Sequence, residues 1–375
     1  MADFPSALEL SEALVRFDTI NPPGDEQACA DHLGRLLEGV GFKVAPYEFA
    51  PGRTSLIASL PGRGDKAPIC FTGHIDTVPL GSRPWSKDPF AGELADGRLY
   101  GRGTSDMKAG VAAFVCAGAH LAGLGEPEAG ILFVITAGEE TGCEGADHMA
   151  KAGVLGRAGA IVVAEPSSNY PYIGHKGALW LEVETHGVTA HGSMPEHGEN
   201  AIYKAAHALT KLEDFDFNIA PHGILGRATL NVGTIEGGLN INSVPDRAAF
   251  TIDIRSIPGQ THHEVIEGIG AYLGPEARLR PIMDVEGIST PADHPWMQEV
   301  YEIMTPYLGA RPEPRGASYF TDAAYLTPAM GNAPTVILGP GEPQMAHQTD
   351  EYCLIERIDQ AREAFETIAR RWCGL

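Results

Sequence analysis

The sequence predicts an α/β protein, a mostly parallel sheet covered by helices, into which a smaller α+β segment is inserted. Three observations carry this reading. Short apolar runs at 69–72, 131–136 and 160–164 alternate with helical patterns and read as buried parallel strands. After Gly177 the rhythm changes to a β-α-β-β-α-β order, which fits a ferredoxin-like arrangement of one antiparallel sheet and two helices. From about Pro291 helix and strand resume, so the first domain is expected to be discontinuous, 1–177 and 290–375, around an insert at 178–289.

Each element has its own signal. Between residues 7 and 42, two amphipathic helices flank an Asn21-Pro22-Pro23-Gly24 break that stops the first and lets the second start near Asp25. An Ala- and Val-rich helix is expected at 107–123, directly behind Asp106. In the insert, the alternating run 179–185 predicts a strand, followed by a helix at 200–212, strands at 228–236 and 247–255, a helix at 262–273 and a last strand at 278–285. An amphipathic helix at 355–372 closes the chain, and the sequence has no internal repeat or low-complexity tract.

Composition narrows the function classes. With 375 residues, 43% of them hydrophobic, the chain can bury large cores and is expected to form two domains. A formal net charge of −22 repels nucleic acid and anionic membrane surfaces, so neither is expected as a partner. Met1-Ala-Asp-Phe-Pro carries no basic-then-apolar leader, and no apolar run is long enough to span a bilayer, so a cytoplasmic protein is expected. Six cysteines without Cys-x-x-Cys spacing suit reduced thiols better than a disulfide framework or a sulfur-ligated zinc site.

Four short segments place metal-binding side chains just after apolar runs or turns: Gly73-His74-Ile75-Asp76, Ser105-Asp106-Met107-Lys108, Gly138-Glu139-Glu140-Thr141 and Ala164-Glu165-Pro166. A fifth, near the end, supplies His347. In an open α/β sheet ligands bind beyond the carboxyl ends of the strands, where such residues can converge. Histidine, aspartate and glutamate without cysteine describe a nitrogen and oxygen site suited to Zn²⁺, with Co²⁺ or Mn²⁺ as substitutes. Five candidate ligands exceed the three of a mononuclear catalytic zinc, so two divalent ions are expected. Asp76, two residues after His74, returns to the same side of an extended segment and can accept the second ring N–H of that histidine. The adjacent side chains of Glu139 and Glu140 diverge, so one can bind metal while the other acts as general base.

At these residues the chain resembles the di-zinc amidohydrolase and exopeptidase family of acetylornithine deacetylase, succinyl-diaminopimelate desuccinylase, aminoacylase and carboxypeptidase G. The resemblance covers essentially the whole chain. It rests on Gly73-His74-Ile75-Asp76-Thr77-Val78-Pro79, Gly101-Arg102-Gly103-Thr104-Ser105-Asp106-Met107-Lys108-Ala109-Gly110, Glu139-Glu140, Ala164-Glu165-Pro166 and Ala346-His347-Gln348-Thr349-Asp350-Glu351, in the family order. It implies a zinc-exopeptidase-like catalytic domain and an inserted dimerisation or lid domain. It also implies that Asp106 bridges two metals, that His74 and Glu165 complete one site and Glu140 and His347 the other, and that Asp76 supports His74. Glu139 would be the general base and acid. In the family the peptide bond after the bridging aspartate is commonly cis.

The insert matches as well. Thr189-Ala190-His191-Gly192-Ser193 and Gly198-Glu199-Asn200-Ala201 look like the dimerisation-domain signature, in which the histidine, here His191, reaches the partner's site and stabilises the oxyanion. Asn240-Ile241-Asn242-Ser243-Val244-Pro245 and Asp253-Ile254-Arg255 resemble the segments that grip the substrate's α-carboxylate, which makes Asn242 and Arg255 candidate anchors. The Gly339-Pro340-Gly341 turn is expected to let backbone approach the substrate at Gly341.

For specificity, His175-Lys176-Gly177 stands where desuccinylases carry an arginine-rich pair, and Ser318-Tyr319-Phe320-Thr321-Asp322 where they carry Gly-Gly-Thr-Ser-Asp. Both differences weaken a succinyl preference, although Lys176 retains a cation for an anionic group. The expected activity is hydrolysis of an N-acyl-L-amino acid with acetyl favoured, by a homodimer formed through the insert. The alternatives are an exopeptidase acting on short peptides, a succinyl-diaminopimelate desuccinylase, and a non-catalytic binding relative.

Overall fold

The computed structural model of the protein describes residues 4–375. The chain divides into two compact units. The larger is built from the chain up to Gly174 together with Ser289–Arg315 and Thr321–Leu375, and the smaller from His175–Ile288 with Gly316–Phe320. Residues 175–177 and the short segment 316–320 thus group with the insert.

In the larger unit, the strands Lys43–Ala50, Arg53–Leu60, Ile131–Thr136, Ile69–His74, Ala160–Val163 and Thr335–Ile337 lie in that order across one sheet. The last four run parallel, and the first two join antiparallel. This mixture follows from the connections: a turn at Gly52 can only fold the chain back antiparallel, whereas the longer crossovers return it parallel. Every residue of Ile69–His74 and Ile131–Thr136 is buried, as expected for strands covered on both faces.

The helix behind Asp106 spans Ala109–Ala122, two residues shorter at its start than the sequence pattern suggests. Residues Thr104–Lys108 instead form an irregular turn, and the Asp106–Met107 peptide bond is cis. The helix is nearly all Ala, Val, Gly and Cys on the inside and sits close to the sheet: a Cβ on Gly110 would lie 2.3 Å from the carbonyl oxygen of Ala164. That close approach fixes the residue before Glu165 against the element that follows Asp106.

The smaller unit has the predicted order of elements. Its sheet, Thr229–Gly237, Arg247–Arg255, Ala178–His186 and Ala277–Val285 from edge to edge, is antiparallel throughout. Alternation along Ala178–His186 turns Leu179, Leu181 and Val183 into one core, where they meet Ala205 of the helix Ala201–Leu212 and Val265 and Ile269 of the helix His262–Leu273. Asn200 caps the first of these helices by accepting the main-chain N–H of Ile202 and Tyr203, and Thr261 and Glu264 form a capping box on the second.

Candidate active site

Parallel pairing brings the carboxyl ends of three strands to one edge, with His74 opposite Thr136 and Thr72 opposite Val163. The chain leaving those ends supplies His74 and Asp76, Glu139 and Glu140, and Glu165. Asp106 comes from the irregular turn, and His347 from a loop where its φ of 64° is left-handed, a conformation that non-glycine residues rarely adopt and that recurs at functional sites.

These side chains meet around one carboxylate. One oxygen of Asp106 lies 3.1 Å from His74 Nε2, and the other lies 3.4 Å from His347 Nε2. Beyond His74 stands Glu165, 3.8 Å away, and beyond His347 stands Glu140, 3.1 Å away. Donor atoms of His74, Asp106 and Glu140 lie within 4.8 Å of one another, as do those of His74, Glu139 and Glu165. Both clusters share His74; Glu139 lies with Glu165, and Glu140 lies with Asp106 and also reaches His347.

The electrostatics follow from burial and crowding. Burial alone would pull the His74 imidazole down, but hydrogen bonds to Asp106 and Asp76 and the charge of Glu165 hold it well above the usual histidine range. Hydrogen bonds to Asp106 and Glu140 push His347 up to about 10. Burial would raise Asp106, yet the hydrogen bonds from His347 and His74 hold it well below the usual carboxylate range. Burial and then the charge of Asp106 push Glu140 up to about 7, and burial with the charge of neighbouring Glu165 holds Glu139 well above the usual carboxylate range. Glu165 is raised by burial and by Asp106.

Four acidic side chains and two histidines thus face one another, and the raised proton affinities of the three glutamates and two histidines mark places that cations would take from protons. The donor atoms are nitrogen and oxygen. A thiol beside them, Cys143, is 3.9 Å from Glu139 Oε1, fully buried and pushed far from thiolate formation by desolvation. The residues present therefore fit a pair of borderline-hard divalent ions.

Asp76 is placed differently from the simple expectation of a carboxylate hydrogen-bonded to its histidine. The nearer partner of His74 Nδ1 is the Asp76 main-chain oxygen at 2.9 Å, with the carboxylate at 3.4 Å. The carboxylate itself accepts the main-chain N–H of Glu139 at 3.1 Å and of Glu140 at 3.2 Å, and the Asn21 side-chain amide at 2.9 Å. Asp76 thus fixes the turn that presents both glutamates. Asn21 also donates to the Thr141 hydroxyl at 2.9 Å, a role not readable from a segment that looks like a helix break.

Buried acids next to the site, Glu351 and Asp322, had no assigned role in the sequence. Glu351 is fully buried behind Asp106. Asp322 is 2% exposed, accepts the Thr136 hydroxyl, and is pushed up to about 6 by burial. The only sequence signal for either is an acidic residue within an otherwise apolar or motif-rich stretch.

Gly341 makes a close approach, but to protein. A Cβ there would sit 2.0 Å from the Ser105 carbonyl oxygen, so the glycine lets its turn pack onto the loop that carries Asp106. The remaining candidates belong to the smaller unit. His191 is exposed, with Nδ1 2.8 Å from the Ser193 hydroxyl, and the main-chain oxygen of Asn242 accepts the N–H of Gly192 at 2.7 Å. Arg255 pairs with Asp253 at 3.0 Å. Lys176 donates to the Arg227 main-chain oxygen at 2.6 Å, and burial and the charge of Arg255 pull its pKa down, so the two cations are neighbours.

Comparison with known proteins identifies the family. Residues 70–371 match the model of peptidase family M20/M25/M40. The chain is 32% identical to an acetylornithine deacetylase of Myxococcus xanthus over 366 residues, 92% of each protein. An M20 family metallo-carboxypeptidase from Sulfolobus solfataricus has the same fold, with a TM-score of 0.80 at 19% identity over 99% of this chain and all of that one. A dinuclear metal binding peptidase of the M20 family from Bacillus subtilis gives 0.71 at 17% identity over 98% of each. With its histidines and carboxylates gathered at the strand ends that the family model spans, the chain belongs to peptidase family M20/M25/M40 and is a hydrolytic enzyme.

Proposed function

We propose that the protein hydrolyses the amide bond of an N-acyl-L-amino acid, with acetyl as the favoured acyl group, using two divalent metal ions, zinc for preference. The observation that carries this is the Asp106 carboxylate, whose two oxygens face different histidines, each backed by a glutamate. His74 and Glu165 would hold one ion, Glu140 and His347 the other, and Asp106 both. When bound, the ions supply Lewis-acid polarisation of the acyl carbonyl and a lowered pKa for the attacking water.

Glu139 performs the proton transfers. It accepts a proton from the water as the water oxygen bonds to the acyl carbon, and returns it to the amide nitrogen as the C–N bond breaks, leaving a carboxylate and a free amino acid. In the metal-free protein burial and the charge of Glu165 raise its proton affinity above that of a free carboxylate. Asp76 holds Glu139 in place through the main chain. Arg255 and Asn242 bind the substrate's α-carboxylate, Lys176 supplies a further positive charge, and His191 donates a hydrogen bond to the developing oxyanion from a second copy of the chain.

The second copy is proposed to join through the smaller unit, where Ile235 on the edge strand Thr229–Gly237 and Leu239 and Ile241 beyond it are exposed. Six free, buried cysteines support a reducing compartment, the cytoplasm. Among the described residues, no helix is long and apolar enough to cross a membrane.

The test is amine release from N-acetyl and N-succinyl amino acids and from dipeptides, with chelated protein reloaded with Zn²⁺, Co²⁺ or Mn²⁺. Metal-dependent release from the N-acetyl series is expected. Release confined to dipeptides would replace this reading with an exopeptidase, and release confined to succinyl substrates with a desuccinylase.

A further inference from the structure

We propose that the buried Arg102–Glu351 pair is a positioning device that holds the Asp106 turn and the His347 loop in register. Arg102 is 1% exposed and Glu351 fully buried. All the acceptor capacity of the glutamate is used on one turn. Its Oε1 accepts the main-chain N–H of Ser105 at 2.8 Å and of Asp106 at 3.0 Å, while its Oε2 accepts the N–H of Gly103 at 3.0 Å and Arg102 Nη1 at 2.6 Å. Three N–H groups of a four-residue turn therefore converge on a carboxylate that lies only four residues after His347.

The guanidinium extends the brace. Arg102 Nη1 also donates to the main-chain oxygen of Gln348 at 3.3 Å, next to His347, and Nη2 donates to that of Pro79 at 3.1 Å, on the segment that leaves His74 and Asp76. Further bonds run the same way: Gly101 N–H to the Glu351 main-chain oxygen at 3.0 Å, and the Ser105 hydroxyl to the Tyr352 main-chain oxygen at 2.7 Å. One ion pair thus ties together the three segments that carry His74, Asp106 and His347. A pair serving burial alone would have no reason to send its hydrogen bonds to those three segments, and replacing a buried pair with apolar groups is often harmless.

The proposal rests on the reading of Asp106 as the shared ligand, and the experiment separates the two. Wild type, Glu351→Gln, Arg102→Lys and Asp106→Asn are compared as full-length protein for Zn²⁺ affinity by chelator competition, for the visible spectrum of the Co²⁺ form, and for amide exchange at 103–106 without metal. Glu351→Gln retains one acceptor oxygen but turns an amide NH₂ toward N–H donors or the guanidinium. Zn²⁺ affinity is expected to fall by about ten- to a hundredfold, as for the loss of groups that orient metal ligands. Faster exchange at 103–106 and an altered Co²⁺ spectrum should accompany the loss. Zn²⁺ affinity and a Co²⁺ spectrum like those of wild type, in a variant that melts earlier, would overturn the proposal and leave a structural pair.

Should Glu351→Gln fail to fold, Arg102→Lys decides. It keeps the charge but loses the fork, and it is expected to lower affinity severalfold, whereas unchanged affinity overturns the brace. Full binding of both ions by Asp106→Asn would defeat the shared-ligand reading instead, whatever the Glu351 variant does.

Discussion

Replacing Asp76 with asparagine separates a residue that merely lies near the site from one that builds it. Asn is close to isosteric but offers one acceptor oxygen where Asp offers two. In the structure the two oxygens are divided: Oδ1 takes the N–H of Glu139, and Oδ2 takes the N–H of Glu140 and the Asn21 amide. Whichever way the Asn side chain turns, its NH₂ faces at least one main-chain N–H. Losing one charge-assisted hydrogen bond and leaving a buried donor unpaired costs about 1.5–3 and about 1–3 kcal/mol respectively, so a loss on the order of 4 kcal/mol is expected. Part of that strain will be relieved by displacing the Glu139–Glu140 turn, which moves the proposed base and a proposed ligand together. Turnover should fall by a factor of about a hundred or more, Zn²⁺ affinity by about tenfold or more, and the melting temperature by several degrees. The assay is steady-state amine release over a range of free Zn²⁺, with calorimetry on the same preparations. Wild-type Zn²⁺ affinity together with reduced turnover would refute the reasoning, since the two glutamates share one support.

Other expectations follow from the same geometry. Glu139→Gln should bind both metal ions but lose roughly three or more orders of magnitude in turnover, measured by amine release beside metal content; turnover near wild type removes Glu139 from its role. Glu140→Ala and His347→Ala should each lower the metal content of purified protein toward one ion, and full occupancy in either contradicts the assignment. Metal-free protein should lose stability as pH rises from about 4.5 to 10. Glu140 is raised to about 7 and His347 to about 10, and Glu139, Glu165 and His74 are raised as well, so over this span the folded state holds more protons than the unfolded one. The depressed carboxyls of Asp76 and Asp106 act in the opposite sense below the ordinary aspartate range near ~3.9, and the buried His175, pulled down to about 4, and His32 do so up to the ordinary histidine range near ~6.5, but the five raised groups outnumber them. Calorimetry of chelated protein checks this, and a melting temperature that climbs between pH 5 and 8 would contradict it.

The parts of the molecule legible in the sequence are those written in local patterns. Apolar runs such as Ile131–Thr136 and the alternation of Ala178–His186 declare their strands through burial, and the β-α-β-β-α-β order of the insert follows from element succession. The turn Thr104–Lys108 was hidden because its composition resembles a helix start, whereas two of its backbone N–H groups, Ser105 and Asp106, and that of Gly103 just before it are claimed by the carboxylate of Glu351, far along the chain. Asn21 was hidden for a related reason. Its prolines announce a break, but the use of its amide depends on Asp76 and Thr141, and such distant pairings leave no trace in spacing.

The acidic residues of the larger unit fall into two groups that differ in who answers their charge. Asp76 and Glu351 are fully buried, and each is met by main-chain N–H groups and by a side-chain donor, Asn21 or Arg102. Asp106, Glu140 and Glu165 face the two histidines and crowd one another. A fold selected for stability alone would not leave three carboxyls in that condition, because burial without compensation is costly. The first group makes the second affordable: fixed donors hold the loops in place while the facing acids repel. The crowding is relieved by protons on the facing glutamates and histidines or by cations between them. That choice gives the site its dependence on metal and, in the metal-free protein, its sensitivity to pH.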